Sequence, residues 1–235
     1  MKKRFDLVQR LELVKQASAG KKVLHLGCTN WPYTHDALAA DMLLHVELGD
    51  VAKELYGFDY DQEGIDVLQA NGFSNLYRAN LEKLEEVDLD ETFDVIIAGE
   101  MIEHLNNPGL FLNGIKRFMN DDTQLVITTI NAYSGMRFVI YGLLGKGGEV
   151  EPVHPDHVAY YSYSTLKLLL DRHGFEVSRF AYYDLGVEHW AFNGRLRNLL
   201  NDASVMIAPQ WADGIIAVCT LSNSSVNGSG LELLS

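Results

Sequence analysis

Cysteine and positive charge are both scarce in this chain. Two cysteines in 235 residues, Cys28 and Cys219, cannot build a disulfide framework, which agrees with a reducing compartment. No apolar run reaches the roughly 18 residues of a membrane span. The opening MKKRFDLVQRLELVKQ interrupts its apolar positions with charges, unlike a signal peptide. A cytoplasmic protein without a membrane partner is the expectation. Basic residues number 19 against 32 acidic ones, for a formal charge of −13. Gripping nucleic acid requires a basic face that neutralises phosphates, so nucleic acid is not an expected partner. Residues 1–24 do hold seven Lys and Arg against Asp6 and Glu12. There Phe5, Val8, Leu11 and Val14 repeat at helical spacing, which predicts a solvated amphipathic helix. Residues 36–104 carry eighteen acids against Lys53, Arg78 and Lys83.

What is present is ordinary globular composition, 47% apolar and 22% charged, at a length that suits one domain with its own core. Strand-like runs are KVLHLG (22–27), LYGFDY (55–60), NLYRAN (75–80), FDVIIAG (93–99), QLVITTI (124–130), FEVSRFAYY (175–183) and GIIAVCTL (214–221). The early ones are continuously apolar, as parallel strands buried on both faces must be. Helix candidates fall near 35–46, 62–70, 108–119 and 163–173. Asn107 precedes Pro108 as a capping residue before a first-turn proline, and Gly174 can close the last helix left-handed. Strand alternating with helix predicts an open, doubly wound α/β sheet. The domain is expected to span 1–221, with insertions at 131–161 and 184–213 and a flexible tail at 222–235. The first insertion carries four glycines in GLLGKGGEV, which read as a mobile gate.

Ligands in such sheets bind beyond the carboxyl ends of the strands. The first turn there, HLGCTNW (25–31), keeps Gly27 but has Thr29 and Trp31 where a dinucleotide fold needs later glycines. A phosphate cradle is therefore not expected, although one close backbone approach remains. Asp59 ends the second run, where an acid either holds ribose hydroxyls or caps a helix. Asn80 and Leu81 end the third, where an amide plus a backbone N–H can read an adenine edge or simply turn the chain.

After FDVIIAG comes EMIEHLNNP, and the whole series becomes specific. VLHLGC, LYGFDYDQEGIDVLQANG, FDVIIAGEMIEHLNNPGLFLNGIKRFM, TQLVITTINA and YSYSTLKLLLDRHGFEV occur in an order and spacing that resembles the class I S-adenosylmethionine (SAM)-dependent methyltransferases over residues 20–185. The texture is nearest the ubiquinone-pathway O-methyltransferases and the sugar or small-metabolite methyltransferases. The resemblance implies a seven-stranded Rossmann-like sheet with an antiparallel last strand, SAM as cofactor, and a small-molecule acceptor. It places Gly27 and Cys28 under the methionine part of SAM, Asp59 on the ribose, Tyr60 beside the adenine and Asn80 and Leu81 at the adenine edge. Gly99 and Glu100 would stand at the sulfonium end. The chain departs from the family pattern at His25, where an acid is usual, and at Thr29 and Trp31.

Glu100, Glu103 and His104 lie at i, i+3 and i+4, one face if the segment is helical. With HPDH (154–157) they could bind a divalent ion. The small-RNA 3′-terminal ribose methyltransferases carry a similar Glu-x-x-Glu-His and a later His, matched here by Glu100, Glu103, His104 and His157. The other reading makes His104 and His157 bases for a hydroxyl acceptor. His35, His45, His173 and His189 read as surface or helix-face residues. Aromatics crowd the insertions, from Tyr133 and Phe138 to Trp190 and Phe192, and suggest a roof over a sugar or aromatic acceptor. Methyl transfer to a hydroxyl, or to an amine, is thus the leading function. A non-catalytic SAM-fold binding protein stays open, whereas a nucleotide-sugar oxidoreductase lacks its glycine fingerprint.

Overall fold

The computed structural model describes residues 6–145, 156–184 and 195–222. Gly147, Gly148, His154, His189, Trp190, Phe192 and the tail beyond Ser222 lie outside the described residues, as does Phe5. The described strands are β1 (Asp6–Val8), β2 (Lys22–Leu26), β3 (Glu54–Asp59), β4 (Leu76–Arg78), β5 (Val95–Gly99), β6 (Gln124–Ile130), β7 (Phe175–Tyr183) and β8 (Gly214–Leu221). The helices are α1 (Arg10–Ser18), α2 (Thr34–Ala39), α3 (Leu44–Gly49), α4 (Gln62–Ala70), α5 (Pro108–Gly114), the short α6 (Gly135–Arg137), α7 (Tyr163–Arg172) and α8 (Arg195–Ile207). A π-helical stretch, Phe138–Leu143, extends α6.

All eight strands form one sheet in the order β1-β7-β8-β6-β5-β2-β3-β4. Of these, β8 alone runs antiparallel to its neighbours. Successive strand residues point to opposite faces, and here both faces are covered. Leu24, Ile96, Leu125 and Ile215 join Phe111 of α5 and Leu166 of α7 on one side. Val23, Val95, Val126 and Ile216 join Leu13 and Val14 of α1 and Leu48 of α3 on the other. That double burial is the physical reason the strand runs are continuously apolar.

Four sequence expectations change. The sheet has eight strands rather than seven, because Asp6–Val8 adds parallel to Ala181–Tyr183 at the edge. That strand takes Val8 out of the expected N-terminal helix, which starts at Arg10. The helix expected over 35–46 is two helices, α2 and α3, since Asp41 adopts a left-handed φ of 53° that no helix continues through. The first turn of α5 keeps its proline, but Asn107 makes no side-chain cap. Its amide donates instead to Glu82 Oε2 at 3.1 Å. Gly174 does close α7 with a left-handed φ of 75°. Among the described residues, no helix is long and apolar enough to cross a membrane.

Candidate functional site

Because five neighbouring strands, β6, β5, β2, β3 and β4, run the same way, β2, β3, β5 and β6 end together, and antiparallel β8 begins at the same edge. At that edge Gly27 takes a φ of 71°, open to glycine at little cost. Its N–H and that of Cys28 both donate to Phe58 O, at 2.8 and 3.2 Å. The Cys28 side chain turns inward against Ala37, Leu43 and Leu68. Burial, and then the nearby Asp59, push its thiol well above the ordinary range. Cys28 therefore offers its backbone and no thiolate.

Asp59 ends β3 with its carboxylate already engaged. Oδ2 accepts from Thr29 N and Thr29 Oγ1, both at 2.9 Å, and Oδ1 accepts from Asp61 N at 2.9 Å. An ionised carboxylate has about four acceptor sites, so about one remains for a ligand hydroxyl. Ala79 N donates to Asp59 O at 2.7 Å, which brings Asn80 and Leu81 alongside. Asn80 is exposed, with its Oδ1 taken by Glu82 N at 2.9 Å. Leu81 packs half-buried against the core. Tyr60 presents an exposed ring with the Arg78 guanidinium 4.9 Å from its centroid.

Gly99 leads into Glu100, whose φ of 52° is left-handed and costs about 1–2 kcal/mol for a residue with a Cβ. The turn aims its carboxylate at the Tyr183 hydroxyl, which donates to Oε1, and Arg10 Nη1 lies 3.9 Å from Oε2. The expectation that Glu100, Glu103 and His104 share a helical face is therefore not met. Residues 102–104 form a single 3₁₀ turn, and Glu100 faces a different neighbourhood.

Glu103 points into the interior. Its Oε2 accepts from Thr129 Oγ1 at 2.8 Å, while Oε1 is buried without a hydrogen-bond donor among the described residues. Burial, and then Glu100, raise its pKa to about 8. The Glu103 carbonyl accepts from Val158 N at 2.9 Å and Ala159 N at 3.2 Å, which pins the segment carrying His157. The His104 and His157 rings meet edge to face, centroids 4.7 Å apart. One ligand atom each from Glu103, His104 and His157 lie within 4.8 Å of one another. Two imidazoles and a carboxylate can move a proton or hold a divalent ion.

His45 lies on helix α3, but on its buried face rather than at the surface, and its Nδ1 lies 3.2 Å from His25 Nδ1. Burial lowers both imidazoles, His45 to about 4 and His25, beside His45 and Arg10, well below its usual value. The two rings stack as a neutral pair, with centroids 5.4 Å apart. Sequence reasoning took Thr29 only as a departure from the glycine pattern and Tyr183 only as one of the crowding aromatics, and it passed over Thr129, Arg10 and the Arg137–Asp213 pair. In that pair Nε and Nη2 reach the two carboxylate oxygens at 2.9 Å each. Tyr183 had a signal, because it ends its strand run as Asp59 does.

The donor set suits a nucleoside that carries cationic groups. Asp59 and Glu100 supply carboxylates, Tyr60 an aromatic face and Gly27 a close backbone, with no Lys or Arg in 27–31 to meet phosphates. A doubly wound sheet with one antiparallel strand among the described residues has the architecture of the SAM-dependent methyltransferase fold. The chain belongs to the methyltransferase-domain family, whose model matches residues 3–179. It is 26% identical over 174 residues to the "Probable S-adenosylmethionine-dependent methyltransferase" of Mycolicibacterium smegmatis, which covers 74% of this chain and 57% of that one. It is 30% identical over 120 residues to the mitochondrial ubiquinone biosynthesis O-methyltransferase of Bos taurus, covering 48% of this chain and 30% of that protein. The chain thus spans just over half, and under a third, of those relatives. The crystal structure of the magnesium protoporphyrin IX methyltransferase from Synechocystis, solved with bound S-adenosylhomocysteine, shares the fold. Its TM-score is 0.55 at 12% identity, covering 89% of this chain and 78% of that one.

Proposed function

We propose that this methyltransferase transfers the methyl group of SAM to a hydroxyl of a small-molecule acceptor, such as a sugar or aromatic metabolite. The observation that carries the reading is the approach of His104 and His157 beside buried Glu103, next to Glu100 at the carboxyl edge. SAM, when bound, supplies a methyl carbon activated by a sulfonium. Gly27, Cys28, Asp59, Tyr60, Asn80, Leu81, Gly99 and Glu100 line its expected place. The Glu103–His104–His157 cluster takes the proton that the acceptor hydroxyl must lose as its oxygen bonds to the methyl carbon. The sulfonium would supply the leaving group, its sulfur keeping the C–S electron pair. Placing nucleophile against methyl accounts for most of the acceleration, about 7–11 kcal/mol for well-oriented reactions, and proton removal adds about 10²–10⁴-fold.

Exposed Tyr133, Phe138, Tyr160 and Trp211 support an acceptor with a ring to stack on. The acidic balance speaks against RNA. A second reading, a SAM-fold protein without turnover, is favoured by one observation: Asp59 is largely occupied by Thr29 and Asp61. Calorimetry with S-adenosylhomocysteine, beside methyl turnover on a panel of hydroxylated sugars and phenols, separates the two. Under the leading reading, His104→Ala and His157→Ala each lose about 10²-fold or more of turnover while product affinity holds. Binding without turnover on any acceptor supports the second reading, and full turnover in both variants removes the cluster from the chemistry.

A further inference from the structure

We infer that the guanidinium of Arg137 binds a carboxylate carried by the methyl acceptor. The inference rests on the proposed function and narrows its acceptor to a carboxylic acid. Its first support is an unfinished set of hydrogen bonds. Arginine offers five N–H donors in a rigid fork. Asp213 takes the side of that fork, through Nε and Nη2 at 2.9 Å each. Nη1, at the far end, is out of contact with water and meets no hydrogen-bond partner among the described residues. Arg137 is the only Lys or Arg of the described residues with such an atom, and a buried donor without a partner calls for one.

The second support is position. Arg137 ends α6, which follows β6 at the carboxyl edge, and Asp213 immediately precedes β8 at the same edge. Tyr183, at the end of β7, passes its ring over Gly214 and donates to Glu100. Asp213 and Glu100 both act electrostatically on Arg137, so the guanidinium stands near the residue expected at the sulfonium end. The methionine part of the cofactor is expected over Gly27 and Cys28, at the end of β2. From β2 to β8 the sheet steps across β5 and β6, three spacings of about 4.8 Å, or about 14 Å. A carboxylate at Arg137 is therefore assigned to the acceptor rather than to the methionine.

The third support is charge. The chain as a whole is strongly acidic, but here Arg10 and Arg137 stand against Glu100 and Asp213, two charges of each sign. Glu103, raised to about 8 by burial and then by Glu100, stays mostly protonated at pH 7. No excess of acid among these groups repels an incoming anion. Nη1 is shielded from water, so a carboxylate that reaches it displaces protein side chains and then bonds in a medium of low dielectric. The planar guanidinium matches a carboxylate in shape as well as in charge. The next residue, Phe138, opens the π-helical stretch and leaves its ring exposed. Such stretches are frequent at functional sites, and here the change of helix type comes directly after the guanidinium.

The test titrates the whole chain calorimetrically, with S-adenosylhomocysteine present, using acids and the same molecules without their carboxylate. The pairs are 4-hydroxyphenylacetate with 4-methylphenol, and glucuronate with xylose. The expected result is binding of the acid about tenfold or more tighter in at least one pair. Arg137→Met/Asp213→Leu should abolish that preference, while affinity for the neutral member and for S-adenosylhomocysteine holds. Arg137→Lys keeps the charge without the fork and should retain only part of the preference, and urea unfolding reports whether each variant is folded. No preference for the acid in either pair overturns the inference. So does a preference undiminished in the double variant or, should that variant not fold, in Arg137→Lys. Weaker S-adenosylhomocysteine with unchanged 5′-methylthioadenosine in these variants also overturns it, because the carboxylate would then be the cofactor's. If an acid binds through Arg137 and no acceptor is methylated, the inference stands and the proposed function fails. If neutral phenols and sugars are methylated with the same kcat/KM as their acids, the function stands and the inference fails.

Discussion

His25 Nδ1 and His45 Nδ1 face each other 3.2 Å apart in the interior, so one imidazole donates and the other accepts. The rings stack with centroids 5.4 Å apart. A Cβ added at Gly57 would lie 2.9 Å from His45 Cε1, and one at Gly99 would lie 3.9 Å from His25 Nε2. The pair thus fills the space between the two strands that flank β2 and supports the floor of the site.

Stability should fall as the protein is acidified through this pair. His45 is lowered from 6.5 to about 4 by burial, so the unfolded chain takes up its proton first as pH drops. The contribution is fully present above about pH 6.5 and is lost towards pH 4, on the order of 3 kcal/mol for that shift. Urea midpoints measured from pH 7 to pH 4 should decline more steeply in the wild type than in His45→Phe. Equal slopes would mean that other groups take up the protons.

Asp59→Ala should act twice. It removes the candidate ribose acceptor, and it releases Thr29 and Asp61, which hold the turn after β2. Charge-assisted hydrogen bonds contribute about 1.5–3 kcal/mol each, so S-adenosylhomocysteine affinity should drop about tenfold or more, with a lower melting temperature. Thr29→Val removes one of the three bonds and should cost less than Asp59→Ala in both measurements. Unchanged affinity in Asp59→Ala would take this carboxylate out of the nucleotide site.

The sheet was legible because its strands are buried on both faces, which writes itself as runs such as VIIAG and LVITT. Asp59 and Glu100 could be found by position, as acids at strand ends. What pairs with each acid was not legible. Tyr183 meets Glu100 across 83 positions of sequence, and Arg137 meets Asp213 across 76. Those pairings follow from β8 entering antiparallel between β6 and β7, which no local pattern encodes. The helical face expected for Glu100, Glu103 and His104 failed for a local reason. Glu100 turns left-handed, and spacing arguments assume a continuous helix. His45 misled because an imidazole in the interior needs a partner, and its partner sits 20 residues away.

The Arg137–Asp213 pair makes a stability prediction. Both side chains are nearly buried, 13% and 6% exposed, and bonded through two N–H···O contacts of 2.9 Å. Removing one partner leaves the other charge buried, at a cost of about 3–5 kcal/mol. Asp213→Ala should therefore lower the urea midpoint sharply. The double variant Arg137→Met/Asp213→Leu should recover much of the loss, since apolar replacements of such pairs are often close to neutral. A double variant as unstable as the sum of the singles would show that the pair organises the β6–β8 edge beyond its own charges.

Gly214 and Tyr183 give the sharpest test of how Glu100 is held. A Cβ at Gly214 would lie 1.9 Å from Tyr183 Cζ and 2.3 Å from its hydroxyl oxygen, so glycine is required for the ring to pass. Tyr183 is buried, and burial, followed by Glu100, raises its pKa well above the ordinary value, which keeps the hydroxyl a donor. Gly214→Ala must expel the ring, at the 1–3 kcal/mol or more typical of overpacking, and it frees Glu100 as well. Tyr183→Phe leaves the ring against Gly214 and removes only the donor. If Glu100 serves the sulfonium end of SAM, both variants should weaken S-adenosylhomocysteine, while Gly214→Ala alone should lose substantial stability. Calorimetry and urea unfolding on the two variants separate those effects. Native product affinity in Tyr183→Phe would mean that Glu100 needs no orienting partner or does not touch the cofactor.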